Sequence, residues 1–113
     1  MYKLCLCGSY DDADKIYEYA KIFLKDYIVF TPAFYLGRRP DKEEQNNLIQ
    51  AHFKRIDISD EIIFIFDTKI GVNTLLEMGY AIAKNKKIVI HINNLIIKDI
   101  PNEFTTLFRI MKY

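Results

Sequence analysis

Ser59-Asp60-Glu61-Ile62-Ile63-Phe64-Ile65-Phe66-Asp67 is the stretch on which the fold turns. Five consecutive β-branched or aromatic residues between two turn-forming aspartates predict a central strand buried on both faces. The chain around it supplies the partners such a strand needs. Residues 2–7 (YKLCLC) form a short apolar run ending at Gly8-Ser9, residues 27–31 (YIVFT) a second run stopped by Pro32, and residues 87–92 (KIVIHI) a fourth. Between them the apolar period lengthens to three and four. Ala13, Ile16, Tyr17, Ala20, Phe23 and Leu24 mark one helix, with Ser9, Asp11 or Asp12 as its cap. A second runs from about Asp41 to Ile58, with Asp41 as N-cap and Glu43 and Glu44 in its first turn. A third spans about Val72 to Lys84, and Pro101 to Met111 suits a short last helix after an Asn93-Asn94 turn. Strands alternating with helices imply a parallel sheet covered on both faces, with ligands outside the carboxyl ends of the strands.

The chain has 113 residues, which fits one domain, residues 1–113, and leaves no room for a second. Sixteen Lys and Arg against fifteen Asp and Glu give a net charge of +1. That balance argues against a nucleic-acid polymer as partner and does not discourage self-association. No apolar run reaches the length of a membrane span, and the stretch before Gly8 is too short for a signal peptide, so a cytoplasmic protein is expected. Cys5 and Cys7 lie two apart on a strand and share a face. Without a CxxC or a four-ligand zinc pattern they read as small reduced core residues, and neither metal nor cofactor is expected.

The strand ends carry the candidate site residues, each with a plain reading beside the functional one. Gly8-Ser9-Tyr10 is either an ordinary tight turn or a close backbone approach to a ligand. Asp67 ends the central strand and is equally suited to forming a turn. Gly71, Asn73 and Thr74 open the third helix, and Glu77 lies one turn in. Val72, Leu75, Leu76, Gly79, Ile82 and Ala83 mark that helix's apolar stripe, from which Glu77 projects away. Glu77 is therefore a solvated surface residue unless another element or subunit covers it, in which case it can serve as nucleophile or base. His52 reads as a partly exposed helical histidine, His91 as a core residue and Asp60 as a cap. The long loop 32–41 holds Phe34, Tyr35 and the Arg38-Arg39 pair, which suits a phosphate or plain solvent.

Taken together these residues resemble the nucleoside 2-deoxyribosyltransferase-like superfamily, which includes the 2'-deoxynucleoside 5'-phosphate N-hydrolases. The resemblance runs from Lys3 to about Ile92. It is carried by Leu6-Cys7-Gly8-Ser9, by His52-Phe53-Lys54-Arg55-Ile56-Asp57-Ile58-Ser59-Asp60, and by Ile70-Gly71-Val72-Asn73-Thr74-Leu75-Leu76-Glu77-Met78-Gly79-Tyr80-Ala81, with Lys86-Lys87-Ile88-Val89-Ile90 after it. It implies a flavodoxin/Rossmann-like three-layer α/β sandwich with a four- to five-stranded parallel sheet. It also implies N-glycosidic chemistry, transfer or hydrolysis, on a small deoxynucleoside or deoxynucleotide. Glu77 would be the nucleophile and His52 general acid or orienting group. Gly8, Ser9, Tyr10, Phe34, Arg38, Asp67, Gly71, Asn73 and Thr74 would bind substrate. Two positions depart from the family pattern: His52 stands where transferases carry Asp, and Gly71 where Asp or Ser precedes the nucleophile by six. A non-catalytic nucleotide sensor and a self-associating structural subunit are the competing readings. Eight Tyr and eight Phe are a heavy load for this length. Phe23, Phe53, Phe64 and Phe66 fall on predicted core faces, Tyr10, Phe34 and Tyr35 at the cleft rim. Tyr80, Phe104, Phe108 and Tyr113 fall on outer faces, where they suggest a homodimer or higher homo-oligomer.

Overall fold

The structure, a computed structural model, describes residues 1–33, 40–67, 70–92 and 95–97. In chain order the elements are β1 (Lys3–Cys7), a 3₁₀ turn (Tyr10–Asp12), α1 (Ala13–Phe23), β2 (Ile28–Phe30), α2 (Lys42–Asp57), β3 (Glu61–Phe66), α3 (Val72–Ala83), β4 (Lys87–Ile92) and β5 (Leu95–Ile97). The sheet order is β2-β1-β3-β4-β5, with β3 central. The first four strands are mutually parallel, as the alternation predicts. The fifth joins antiparallel, pairing Ile90 with Ile97 and Ile92 with Leu95. Only two residues separate β4 from β5, too few for a parallel crossover, so the chain turns back along the edge. The last predicted helix, Pro101 to Met111, lies outside the described residues.

Alternation along the strands builds two cores. Cys5, Cys7, Ile62, Phe64, Ile88 and Ile90 face α2 and α3, meeting Ile56, Met78 and Ala81. Leu4, Leu6, Ile63, Ile65 and Val89 face α1, meeting Ile16 and Ala20. The three layers are thus α1, the sheet, and α2 with α3. The start of α2 is a capping box: Asp41 Oδ1 accepts from Glu44 N at 2.8 Å, and Glu44 Oε1 accepts from Asp41 N at 3.1 Å. The 3₁₀ turn takes the place of a side-chain cap on α1, since neither Ser9 nor Asp12 caps a backbone amide there. Asp60, expected in a capping or turn role, instead accepts from the Lys3 amide of β1 at 2.8 Å.

Gly8 has a steric reason to be glycine. A Cβ there would lie 2.5 Å from Ile16 Cδ1 and 2.7 Å from the Ile65 carbonyl oxygen. The glycine lets α1 close onto the end of the sheet. At Gly71 a Cβ would meet only Ser9 Cβ, at 3.6 Å, and the backbone is extended at φ −74°. Gly8→Ala is therefore expected to cost about 1–3 kcal/mol of stability through overpacking. Gly71→Ser, at an uncapped helix start, is expected to stay within about 0.5 kcal/mol of wild type. Urea unfolding of the two variants checks the contrast; equal midpoints would refute the packing argument at Gly8.

Candidate functional site

The carboxyl ends of β1 and β2 and the starts of α2 and α3 enclose a cleft of about 650 Å³. Gly8, Ser9, Tyr10 and Asp11 line it from the β1 end and Pro32 and Ala33 from the β2 end. Gln45, Leu48, Ile49 and His52 line it from α2, and Gly71 to Thr74 and Glu77 from α3. Eight of the predicted site residues are thus brought together: Gly8, Ser9, Tyr10, His52, Gly71, Asn73, Thr74 and Glu77. Asp67 is not among the lining residues. It turns to the other side of the sheet and pairs with Lys15 of α1. Phe34, Tyr35, Arg38 and Arg39 lie outside the described residues.

Glu77 is only 7% exposed. The solvated surface reading is wrong, and the reason lies in which face α3 buries. Thr74, Glu77, Met78 and Ala81 form its buried face, while Val72 and Leu76, placed on the apolar stripe, are 77% and 43% exposed. The cover comes from within the chain, from α2. Phe53 stacks on Tyr80 with ring centroids 4.1 Å apart, and the Tyr80 hydroxyl donates to Asp57 at 2.7 Å. Lys86 Nζ donates to the carbonyls of Asp57 and Ser59 at the end of α2. Tyr80, expected on an outer face, is thereby committed to the α2–α3 seam. Phe104, Phe108 and Tyr113 lie outside the described residues.

Under α2 a chain of polar groups reaches Glu77. Arg55 NH1 lies 3.3 Å from His52 Nδ1, and His52 Nε2 lies 3.0 Å from the Leu6 carbonyl oxygen. Guanidinium only donates and a carbonyl only accepts. The ring they fit is neutral, with its proton on Nε2. The same Nε2 lies 3.2 Å from Cys7 Sγ and 3.5 Å from Cys5 Sγ. Cys7 in turn neighbours the Glu77 carboxyl closely enough for each to shift the other's titration. One carboxylate oxygen, Oε2, is buried with no hydrogen-bond partner among the described residues. The sequence reading missed Cys7 and Arg55. The same-face placement of Cys5 and Cys7 was visible, but not the histidine packed across from them.

The titrations follow from this burial. Loss of water pushes Glu77 up to about 7, against His52 where it is protonated, the Arg55 charge and the neighbouring Cys7 thiol. Its Cys7 bond pulls Cys5 down to about 6 against burial, with His52 adding to the effect, while burial and the Cys5 bond drive Cys7 up. Burial depresses His52, and the Cys5 and Glu77 charges more than offset it; the donor of Arg55 at Nδ1 opposes that rise. His91 sits on the opposite face of the sheet. Its ring packs edge-on to Tyr19 at 4.9 Å, and burial lowers it. It is a core histidine, as expected.

Neither a protein-family model nor a curated protein sequence matches the chain. Solved structures do. A 2-desoxiribosyltransferase from Leishmania mexicana superposes with a TM-score of 0.63 at 18% identity, covering 81% of this chain and 65% of that one. A 2-deoxyribosyltransferase from Bacillus psychrosaccharolyticus, described as a biocatalyst for nucleoside synthesis, gives 0.67 at 15% identity, covering 92% and 80%. The fold is that of the nucleoside 2-deoxyribosyltransferases. This chain spans just under two thirds of the first neighbour's length. Within the deoxyribosyltransferase-like fold, no helix among the described residues is long and apolar enough to cross a membrane.

Burying Glu77 in this fold has a measurable consequence. Its carboxyl is raised from 4.5 to about 7, so the folded state prefers it protonated. That preference stabilises the fold fully below about pH 4.5 and is lost as pH rises through 7, a swing of up to about 3 kcal/mol. Glu77→Gln keeps the neutral shape without the titration. Wild type is expected to lose stability relative to Glu77→Gln between pH 5 and pH 8.5. Parallel urea curves for the two proteins across that range would show Glu77 to be solvated instead.

Proposed function

We propose that this chain cleaves the N-glycosidic bond of a deoxynucleoside or deoxynucleotide, with Glu77 as nucleophile. The observation that carries the reading is the Glu77 carboxylate, buried beside a nucleoside-sized cleft with one oxygen unpartnered. An anion held in a dry wall can stabilise an oxocarbenium-like transition state and then bond to it. In the step proposed, a Glu77 oxygen forms a bond to the anomeric carbon as the bond to the base breaks. The base leaves with its electron pair and is protonated by cleft water. Water hydrolyses the resulting ester, or an acceptor base attacks it, and free Glu77 returns.

The lining suits such a substrate. Pro32, Leu48 and Ile49 offer an apolar wall for a base, and Ser9, Asn73 and Thr74 offer polar groups for the sugar. Both His52 nitrogens are engaged by protein groups, which favours the orienting role over the general-acid role. His52 holds Cys7, whose thiol is a near neighbour of Glu77. Gly71 leaves open the space where a side chain would meet Ser9.

The test is incubation with deoxynucleosides and deoxynucleoside monophosphates, with and without an acceptor base, following released or exchanged base by chromatography. Expected is base release that rises with pH through about 7 as Glu77 ionises. Glu77→Ala is expected to lower it by at least about 10³-fold. Release that survives Glu77→Ala unchanged sinks the mechanism. Nucleotide-dependent thermal stabilisation without product would select the sensing module instead.

A further inference from the structure

We propose that Cys5, Cys7 and His52 form a buried binding site for a thiophilic divalent cation of the zinc class, reached from the cleft, whose occupation ties up Glu77. The three donor atoms, Cys5 Sγ, Cys7 Sγ and His52 Nε2, all lie within 4.8 Å of one another, and all three residues are buried. Tetrahedral zinc with sulfur at about 2.3 Å and nitrogen at about 2.0 Å sets sulfur–nitrogen edges of about 3.5 Å. The observed separations are 3.2 and 3.5 Å. Both sulfur–nitrogen separations are thus close to the tetrahedral edge.

A second observation points the same way. Glu77 is more than nine-tenths buried and its Oε2 has no hydrogen-bond partner among the described residues. Its carboxylate stands outside the three-donor group, so it closes the site as fourth ligand by a side-chain shift toward the cation. Two thiolates and one carboxylate carry −3, the cation +2, and Arg55 beside His52 +1, so the buried charge closes at zero. A closed charge sum is what a low-dielectric site requires. Both His52 and Glu77 also line the cleft, which supplies the route in.

The chemistry balances without any oxidant or reductant. The cation displaces one proton from each thiol that still carries one, and one from Glu77 where it is protonated. The Nε2 proton moves to Nδ1, so Nε2 becomes the ligand. Arg55, half-buried, turns off Nδ1, and the Leu6 carbonyl gives up its imidazole donor. With Glu77 bound to the cation, no carboxylate oxygen is left for an anomeric carbon. This inhibitory consequence rests on the proposed nucleophile; the binding site does not.

Cobalt(II) is the probe, because thiolate-to-cobalt charge transfer reports sulfur ligation whether or not the protein has activity. Titrating the reduced full chain is expected to give a near-ultraviolet charge-transfer band and tetrahedral visible bands that saturate at one equivalent. Zinc is expected to displace them and to raise the melting temperature of the unsubstituted protein. Cys5→Ser and Cys7→Ser are each expected to weaken cobalt binding at least tenfold. If base release is observed, zinc is expected to inhibit Cys5→Ser at least tenfold more weakly than it inhibits wild type. No charge-transfer band at stoichiometric cobalt overturns the site, as does a band that survives in both cysteine variants. A cobalt band with no base release under any condition leaves the site standing and removes the glycosidic reading instead.

Discussion

Phe53 lying flat on Tyr80, with the Tyr80 hydroxyl on Asp57 and Lys86 on the last carbonyls of α2, clamps α2 against α3. The properties of the cleft descend from that clamp. Because α2 is held there, His52 and Ile56 reach the sheet, and the face of α3 carrying Thr74 and Glu77 loses its water. The clamp joins one ring stack, one phenol–carboxylate bond and an ammonium on two helix-end carbonyls. It closes only because β3 and β4 set the register between the end of α2 and the start of β4, where Lys86 sits. Lysine at that helix end also complements the negative pole of the α2 dipole.

Desolvation is what this geometry applies to Glu77. A carboxyl in water favours its charged form at neutral pH; beneath α2 the two forms are nearly balanced. The fold keeps the charge accessible by placing weak, polarisable partners beside it rather than a strong cation. The Cys7 thiol is a near neighbour of the carboxyl, and Arg55 is engaged at His52 Nδ1. An arginine in direct contact would hold the carboxylate ionised but spend both its oxygens. Oε2 is left without a partner among the described residues.

Much of the fold was legible because its signals are strong and local. The apolar run at Ile62 to Phe66, the Asp41–Glu44 capping box and the helix stop at Asn85, which adopts the left-handed backbone, each act within a few residues. β5 escaped because three residues after a two-residue link look like the tail of a loop. At the site, the failures share one cause. Hydrophobicity marked Val72 and Leu76 as the inner face of α3, yet Val72 lies at the cleft, where α2 leaves it uncovered. Asp67 stands at the carboxyl end of β3, as a ligand-binding residue would, but a strand end opens to both sides of the sheet and Lys15 draws it to the α1 side. Which side chain packs across a face is a tertiary fact, and neither period nor spacing encodes it.

The Cys5–Cys7 pair shows how that tertiary fact converts one residue class into another. On a strand alone the two thiols are small apolar fillers. Once His52 crosses them, Cys5 is drawn below and Cys7 driven above the ordinary cysteine value. A dry cavity that makes a carboxyl a better nucleophile also makes a thiolate–imidazole cluster a better ligand, because both gain from the exclusion of competing water. The two features meet in one wall of the cleft, because His52 lies against both thiols and lines the same cleft as Glu77.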